Sequence, residues 1–194
     1  MRTAYKDAFE TFAVAMLWEA CFHGRGGQGA VVAARLFVEA AVLEGLWGQA
    51  YPTFGGERRG APVSAYVRVS DAPVRLRSPV REPDALVVFD RALLPSLGLR
   101  VKEGGFLLVN SPQPPPAEGR VYWVDATGIA KRHGLVVAGW PVVNTAMLGA
   151  LARVSGLVAL ESLKKAILGA WSGRLGEANA GAAEEAYREV RGVG

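Results

Sequence analysis

Residues 23–29 of the chain read His23-Gly24-Arg25-Gly26-Gly27-Gln28-Gly29, and this glycine-rich stretch decides the fold. It follows a short apolar run and precedes a long segment with helical periodicity, so we expect a turn that joins a strand to a helix. Glycines allow such a turn to be tight and to lie close to another surface. Backbone N–H groups at the start of the helix would then favour a bound anion, usually a phosphate.

The spacing Gly24-x-Gly26-x-x-Gly29 matches the fingerprint of dinucleotide-binding folds, but it leaves alternatives open. A tight turn that binds nothing has the same spacing. Dinucleotide binding also requires Asp or Glu about 20 residues further on, to hold the ribose. Residues 46–54 contain no acid, and Glu44 comes too early. NAD or FAD is therefore the less favoured ligand, and a stand-alone nucleotide- or flavin-binding module is kept as the alternative.

Outward from the glycines, the pattern predicts a strand over 18–22, a helix over 29–46 and an extended piece near 47–53. Residues 62–70 alternate between apolar and polar side chains, which predicts a strand with one face in solvent. A turn would then lead into a short antiparallel partner strand at Val74–Arg77.

The middle of the chain contains short, continuous apolar runs, which are typical of strands buried on both faces. These runs are 85–89, 106–109, 121–124 and 135–138. Helical or loop pieces separate them at 91–99 and 127–133, and helical patterns follow at 144–154, 160–168 and 180–191. The pattern predicts an α/β fold with a Rossmann-like, open, mostly parallel sheet, a local antiparallel hairpin and a helical C-terminal segment.

Residues 17–194 are predicted to form a single α/β domain, and residues 1–16 an N-terminal extension to which no role is assigned. Translation could begin at Met16, which would make the preceding residues an addition to the domain. A short docking helix is the alternative for this segment, because it contains aromatic and charged residues but no pattern of a signal peptide.

Composition excludes several classes of protein. With 51% hydrophobic and 21% charged residues, the 194-residue chain has an ordinary globular composition, and no apolar run is long enough to span a bilayer. The net charge of +4 comes from scattered basic residues without a nucleic-acid-binding module. A single cysteine, Cys21, indicates a reducing compartment and cannot hold an iron–sulfur cluster. With only two histidines besides, no metal-ligand spacing exists, so no metal site is expected.

Three strings then occur in a characteristic order. The first is Phe22–Ala30, which contains the glycines; the second is Tyr51-Pro-Thr-Phe-Gly-Gly-Glu-Arg-Arg-Gly-Ala-Pro-Val63; the third is Asn144-Thr-Ala-Met-Leu-Gly-Ala150. In this order and spacing, and over roughly residues 17–190, the chain resembles the gamma subunit of the 2-oxoacid:ferredoxin oxidoreductases. Pyruvate:ferredoxin oxidoreductase is the best-known member of that family.

The resemblance implies a multi-subunit enzyme that decarboxylates a 2-oxoacid on thiamine diphosphate, reduces ferredoxin through iron–sulfur clusters and transfers the acyl group to coenzyme A. Pyruvate is the first expectation for the substrate, followed by branched-chain 2-oxoacids, 2-oxoglutarate and indolepyruvate. This chain lacks the Gly-Asp-Gly…Asn signature of a thiamine diphosphate and magnesium site. We therefore expect those cofactors and the clusters on alpha, beta and delta-type partner subunits. The complex is expected in the cytoplasm, without membrane or nucleic-acid partners, and the isolated chain is expected to be inactive.

Within such a complex, the chain could be structural or could handle coenzyme A. No acid–base pair or activated nucleophile is evident, so no catalytic residue is assigned. The candidate cofactor-binding residues are Gly24, Arg25, Gly26, Gly27, Gln28, Gly29, Arg58 and Arg59. Arg58 and Arg59 would meet phosphates through charge-assisted hydrogen bonds, or they would form ion pairs at an interface.

Among the polar residues of these strings, Gln28 and His23 each have two interpretations and Asn144 has one. Gln28 could face a cofactor or cap the following helix. His23 could contact a phosphate, although a buried structural histidine is the favoured interpretation. Asn144 is predicted to be an N-cap.

Overall fold

The computed structural model describes residues 16–53, 60–76, 78–98 and 100–193. The strands are β1 (Leu17–Arg25), β2 (Trp47–Thr53), β3 (Pro62–Ser70), β4 (Ala85–Val88), β5 (Phe106–Asn110), β6 (Val121–Val124), β7 (Val136–Val137), β8 (Trp140–Pro141) and β9 (Arg191–Val193). The helices are α1 (Ala30–Leu43), α2 (Ala126–Arg132), α3 (Asn144–Ser155), α4 (Leu160–Ala170) and α5 (Gly173–Glu189), with a short 3-10 helix at Arg91–Ser96. In this part of the chain, no helix is both long and apolar enough to cross a membrane. Apart from Met16, the N-terminal extension lies outside the described residues.

Seven strands form one sheet in the order β2-β3-β1-β4-β5-β6-β9. Strands β1, β4, β5 and β6 are parallel neighbours. Strand β3 lies antiparallel between β1 and β2, and β9 lies antiparallel to β6. Strands β4, β5 and β6 are three of the continuous apolar runs, as expected for strands covered on both faces. The predicted α/β fold with a Rossmann-like sheet and a helical C-terminal segment is confirmed.

The two faces of the sheet are covered differently. All five described helices contribute to one hydrophobic core, which packs on the face that contains Phe22, Val67 and Val87. The opposite face contains Cys21 and Leu86, and it is covered by irregular segments and the 3-10 helix. Because the five described α-helices lie on one side, the irregular segments and the 3-10 helix that connect the strands bury the other side.

This covering overturns the prediction that β3 has one face in solvent. Arg68 and Ser70 point to the helix-free face, yet Arg68 is only 1% exposed and Ser70 is buried. Arg68 forms a 2.9 Å ion pair with Glu19 and donates to the carbonyl oxygen of Ser78 at 2.6 Å. A buried guanidinium requires such partners: Glu19 of β1 supplies the carboxylate, and the segment that follows β3 supplies backbone carbonyl oxygens.

The predicted partner of β3 is also wrong. Residues 74–76 form no strand, and Arg77 lies outside the described residues. The carbonyl oxygen of Leu76 accepts from Arg68, which holds this segment across the face of the sheet instead of along the edge of β3. The antiparallel partners of β3 are β2 and β1, so a hairpin of β2 and β3 takes the predicted place.

A third correction concerns residues 135–138, which were predicted to be a buried strand. Only Leu135 is buried. Val136–Val137 pair with Trp140–Pro141 in a separate two-stranded hairpin outside the main sheet. Ala138 and Gly139 have φ of 49° and 80°, and positive φ at both central residues is the signature of a two-residue type I′ turn.

Candidate functional site

The glycine-rich stretch lies where β1 ends and α1 begins, as predicted. Gly24 and Arg25 still belong to β1, so the turn itself comprises Gly26–Gly29, and we call this segment the glycine turn. Gly27 and Gly29 have φ of 100° and 81°, the left-handed region that favours glycine. A Cβ atom on Gly29 would lie 2.8 Å from Nδ2 of Asn144. The turn therefore needs glycine for its backbone and, at Gly29, also for space.

Arg25 and Gln28 fasten the glycine turn to the neighbouring elements. Nε of Arg25 donates to Oδ2 of Asp90 at 2.5 Å, and another guanidinium nitrogen donates to the carbonyl oxygen of Gly60 at 3.1 Å. Oε1 of Gln28 accepts from the backbone N–H of Arg25 at 2.7 Å. Of the two interpretations of Gln28, the one in which it caps α1 is wrong, because the capping position is Gly29 and the Gln28 side chain folds back over the turn.

The second string meets the glycine turn through its backbone. The N–H of Gly26 donates to the carbonyl oxygen of Ala61 at 2.9 Å, and the N–H of Gly60 donates to that of Gly26 at 3.2 Å. Two candidate residues, Arg58 and Arg59, lie outside the described residues. The described part of the string begins at Gly60, the residue after Arg59, and these two hydrogen bonds place it directly beside the turn.

The third string also reaches the glycine turn. Asn144 is buried under Gly29 and is the first residue of α3, so the predicted N-cap is wrong; the capping position is Val143. Oδ1 of Asn144 accepts from the N–H of Thr145 at 2.8 Å. The Thr145 hydroxyl in turn donates to Oδ1 of Asn179 at 3.0 Å, which ties the start of α3 to α5. The three strings, which are far apart in sequence, thus meet at the glycine turn.

A crevice of about 430 Å³ opens beside the glycine turn, at the carboxyl ends of the parallel strands. Ligands of open α/β sheets commonly bind at this edge. The lining residues are Gln28, Phe89, Asp90, Arg91, Asn110, Pro112, Asp125, Thr127, Trp140, Pro141 and Val143.

Several polar residues of the crevice were not singled out from the sequence. Each of three such residues ends or directly follows a buried apolar run: Asp90, Asn110 and Asp125. Their position after a predicted strand could have identified them in the sequence. Asn110 donates to the Phe89 carbonyl oxygen and to the Thr127 hydroxyl, both at 2.9 Å. Asp125 accepts from the N–H of Gly128 at 2.8 Å and so caps α2. These groups hold the ends of the strands in place.

The chemistry of the crevice suits binding rather than proton transfer. Its described lining residues include no His, Cys or Lys, and both carboxylates are engaged, Asp90 with Arg25 and Asp125 with α2. Across the described part of the chain, no three His, Cys, Asp or Glu residues are placed to hold a metal ion.

His23 and Cys21 lie away from the crevice and line a separate cavity of about 220 Å³. Nδ1 of His23 lies 2.8 Å from Oγ of Ser64, and burial lowers the pKa of this imidazole. The structure thus gives His23 a side-chain partner within the sheet, as expected of a structural histidine. Cys21 is buried as predicted, and burial raises the pKa of its thiol to about 12. A thiol with such a pKa stays protonated and is a poor nucleophile.

A family model described as pyruvate ferredoxin/flavodoxin oxidoreductase matches residues 19–189 of the chain. The chain belongs to this family. The match confirms the resemblance that the three strings carry, and the structure explains why they occur together, because the second and third strings both contact the glycine turn.

Individual members of the pyruvate ferredoxin/flavodoxin oxidoreductase family resemble the chain over nearly its whole length. The gamma subunit common to the pyruvate/ketoisovalerate oxidoreductases of Thermococcus kodakarensis is 47% identical over 179 residues, which cover 87% of this chain and 95% of that protein. The pyruvate synthase subunit PorC of Methanocaldococcus jannaschii is 49% identical over 172 residues, with coverage of 87% and 94%. The crystal structure of the pyruvate oxidoreductase subunit PORC of Thermotoga maritima superposes with a TM-score of 0.80 at 36% identity, covering 92% of this chain and 99% of that one.

Proposed function

We propose that the chain is the gamma subunit of a pyruvate:ferredoxin oxidoreductase, an enzyme that oxidatively decarboxylates a 2-oxoacid to an acyl-CoA and reduces ferredoxin. The observation that carries this proposal is the similarity to gamma and PorC subunits along almost the full length of both proteins. Pyruvate is the proposed substrate and branched-chain 2-oxoacids come next, because the relatives are named for pyruvate and ketoisovalerate.

The redox and carbanion chemistry is assigned to the partner subunits. An iron–sulfur cluster needs about four cysteine thiolates, whereas this chain has one cysteine, which is buried. Thiamine diphosphate, magnesium and the clusters therefore belong, in this proposal, to alpha, beta and delta-type subunits, and ferredoxin is reached through the complex. The complex is proposed to work in the cytoplasm.

The chain itself is proposed to support the complex and to contact coenzyme A at the glycine turn. Helix α1 begins at a glycine without a capping side chain, and its first turn contains no acidic residue. Backbone N–H groups at such an end are available to an anion, and the helix dipole adds to the attraction. The crevice beside the turn has the volume of a small-molecule site.

Positive charge for the phosphates is proposed to come from Arg58 and Arg59. Arg25 is less suited, since Asp90 already neutralises its guanidinium and Gly60 accepts from it. In this arrangement Arg25, Gln28 and the glycines shape the turn, and the arginines before Gly60 bind the phosphates through charge-assisted hydrogen bonds.

The assembled enzyme tests the coenzyme A contact. We expect Arg58→Ala and Arg59→Ala each to raise the KM for coenzyme A about tenfold, the effect of losing one charge-assisted hydrogen bond, with assembly intact. Arg174→Ala, which removes an exposed arginine of α5, is the control and should leave KM unchanged. An unchanged KM with impaired assembly would leave the chain a structural role only.

The subunit assignment has its own test. The purified chain alone should be colourless and should not turn over pyruvate, whereas coexpression with the partner subunits should yield activity. Calorimetry of the isolated chain with NAD and with flavins tests the alternative of a stand-alone nucleotide-binding module. The absence of tight binding would exclude that alternative.

A further inference from the structure

The segment Val136–Trp140, which we call the hairpin tip, consists of consecutive exposed residues without a polar side chain. Val136, Val137 and Trp140 are 44%, 60% and 51% exposed. Single exposed apolar side chains are common on soluble proteins, but an unbroken run of them is costly in water and marks an interaction site.

The hairpin tip is a defined projection of the fold. At its base, Leu135 is buried in the main core, and its carbonyl oxygen accepts from the N–H of Val142 at 2.8 Å. At its end, Ala138 adopts a positive φ of 49°, which is unfavourable for a residue with a Cβ atom. The exposed side chains contribute little to folding and the backbone conformation of Ala138 opposes it, so an interaction outside this chain is needed to explain why the hairpin is built this way.

The position of the hairpin tip indicates what it meets. Trp140 lines the crevice together with Arg91, and β8 packs against α2, which carries Lys131 in its last turn. Among the described residues, neither Arg91 nor Lys131 has a carboxylate oxygen within 4.0 Å. Within the described residues, Arg91 beside Trp140 and Lys131 on the helix that packs against β8 are thus cations without a carboxylate partner. The crevice carboxylates Asp90 and Asp125, in contrast, are already bonded within the chain. The complementary surface is an apolar recess bordered by carboxylates.

We infer that the hairpin tip inserts into an apolar, acid-bordered recess on another subunit of the same oxidoreductase. This inference rests on the proposed function, because it assigns the partner from the proposed complex. Trp140 is the anchor, since a large aromatic side chain at the centre of an interface contributes most of its binding energy. Insertion at this place also closes the crevice, so a ligand beside the glycine turn would be enclosed between two chains.

The chain offers a matched control for this interface. Trp47 is 53% exposed, almost the same as Trp140, but it begins β2 at the opposite end of the sheet. Its register partner Ser70 also pairs with Leu17, the first residue of β1, which fixes Trp47 at the amino edge of the parallel strands. The same substitution at the two tryptophans therefore compares the two ends of the molecule.

The experiment measures binding of the full chain to an assembly of the alpha, beta and delta-type subunits produced without it, in the absence of coenzyme A. We expect Trp140→Glu to weaken binding at least about thirtyfold, the effect of losing an interface anchor, and Trp47→Glu to leave it within about threefold. Val137→Glu, which does not line the crevice, should weaken binding as well. Circular dichroism of each variant verifies that the chain is folded.

The outcomes separate this inference from the function on which it rests. If the unaltered chain does not bind the other subunits, the proposed function fails. If the unaltered chain binds and folded Trp140→Glu and Val137→Glu bind equally well, the hairpin interface is overturned. Loss of binding in Trp47→Glu alone would also overturn the hairpin interface, because it would place the contact at the amino edge of the sheet.

Discussion

The glycine turn and the hairpin tip are two connecting segments whose side chains differ in polarity and in whether they have partners within the chain. At the glycine turn, the polar side chains of Gln28 and of Arg25, which directly precedes the turn, are hydrogen-bonded within the chain. In the hairpin tip, the apolar side chains of Val137 and Trp140 are turned outward into solvent. The comparison teaches that polarity alone does not separate functional from structural positions in this chain. What separates them is whether the groups have partners within the chain.

The largest expected effect concerns Gly29. Replacing it by alanine combines a positive φ of 81° with a Cβ contact of 2.8 Å to buried Asn144. We expect a loss of about 3 kcal/mol in the free energy of unfolding, the sum of backbone strain and overpacking. Urea denaturation measures it.

Gly27 is the matched control for Gly29. It has a similar φ of 100°, but a Cβ atom there would meet nothing within 4 Å. Gly27→Ala should therefore cost only the strain of about 1–2 kcal/mol. Equal losses at the two glycines would mean that the contact with Asn144 adds nothing, and the account of a tightly enclosed turn would be wrong.

The next effect concerns the ion pair that anchors the glycine turn. A double-mutant cycle of Arg25→Ala and Asp90→Ala should give a coupling energy of about 1 kcal/mol, because both side chains are partly buried and the pair is a direct hydrogen bond. The pair of Arg132 with Glu189, in which both side chains are half exposed, should give a coupling near zero. A negligible coupling at Arg25 would show that the anchor is an ordinary surface pair.

A pH titration tests the burial of His23, which lies in β1 directly before Gly24. Burial lowers the pKa of His23 from its ordinary 6.5, so just below that pH the unfolded chain binds more protons than the folded chain. The contribution of neutral His23 to stability is thus complete above pH 6.5 and is lost as the pH falls below it. The difference in unfolding free energy between the unaltered chain and His23→Gln should shrink over that range. A constant difference would contradict the burial of the imidazole.

The smallest effect is expected at the hairpin tip. Val137→Ser should change the free energy of unfolding of the isolated chain by less than about 0.5 kcal/mol, because most of the side chain is exposed and folding removes little of it from water. Thermal or urea unfolding measures it. A loss as large as that for Gly29→Ala would show that the tip is part of the folded core, and the contrast between the two connections would disappear.

Much of the fold was predictable because its signals are local. The glycines before an amphipathic segment predicted the turn from β1 to α1, and the short apolar runs predicted β4, β5 and β6. The same periodicity failed at Val136–Val137, since a short apolar run has the same pattern whether it is buried or exposed. It also failed at Arg68, where a polar side chain on an alternating strand was predicted to face water.

The sequence alone determined most of the elements, the position of the turn and, through three strings, the family. These depend on residues close together in the chain and on the backbone angles that glycine permits. Only the tertiary structure decided that Gly29 rests on Asn144, that the segment after β3 buries Arg68, and that residues 136–140 project from the surface. The reason is physical: whether a side chain is buried depends on segments that are distant in sequence, and no local pattern specifies which of them will cover it.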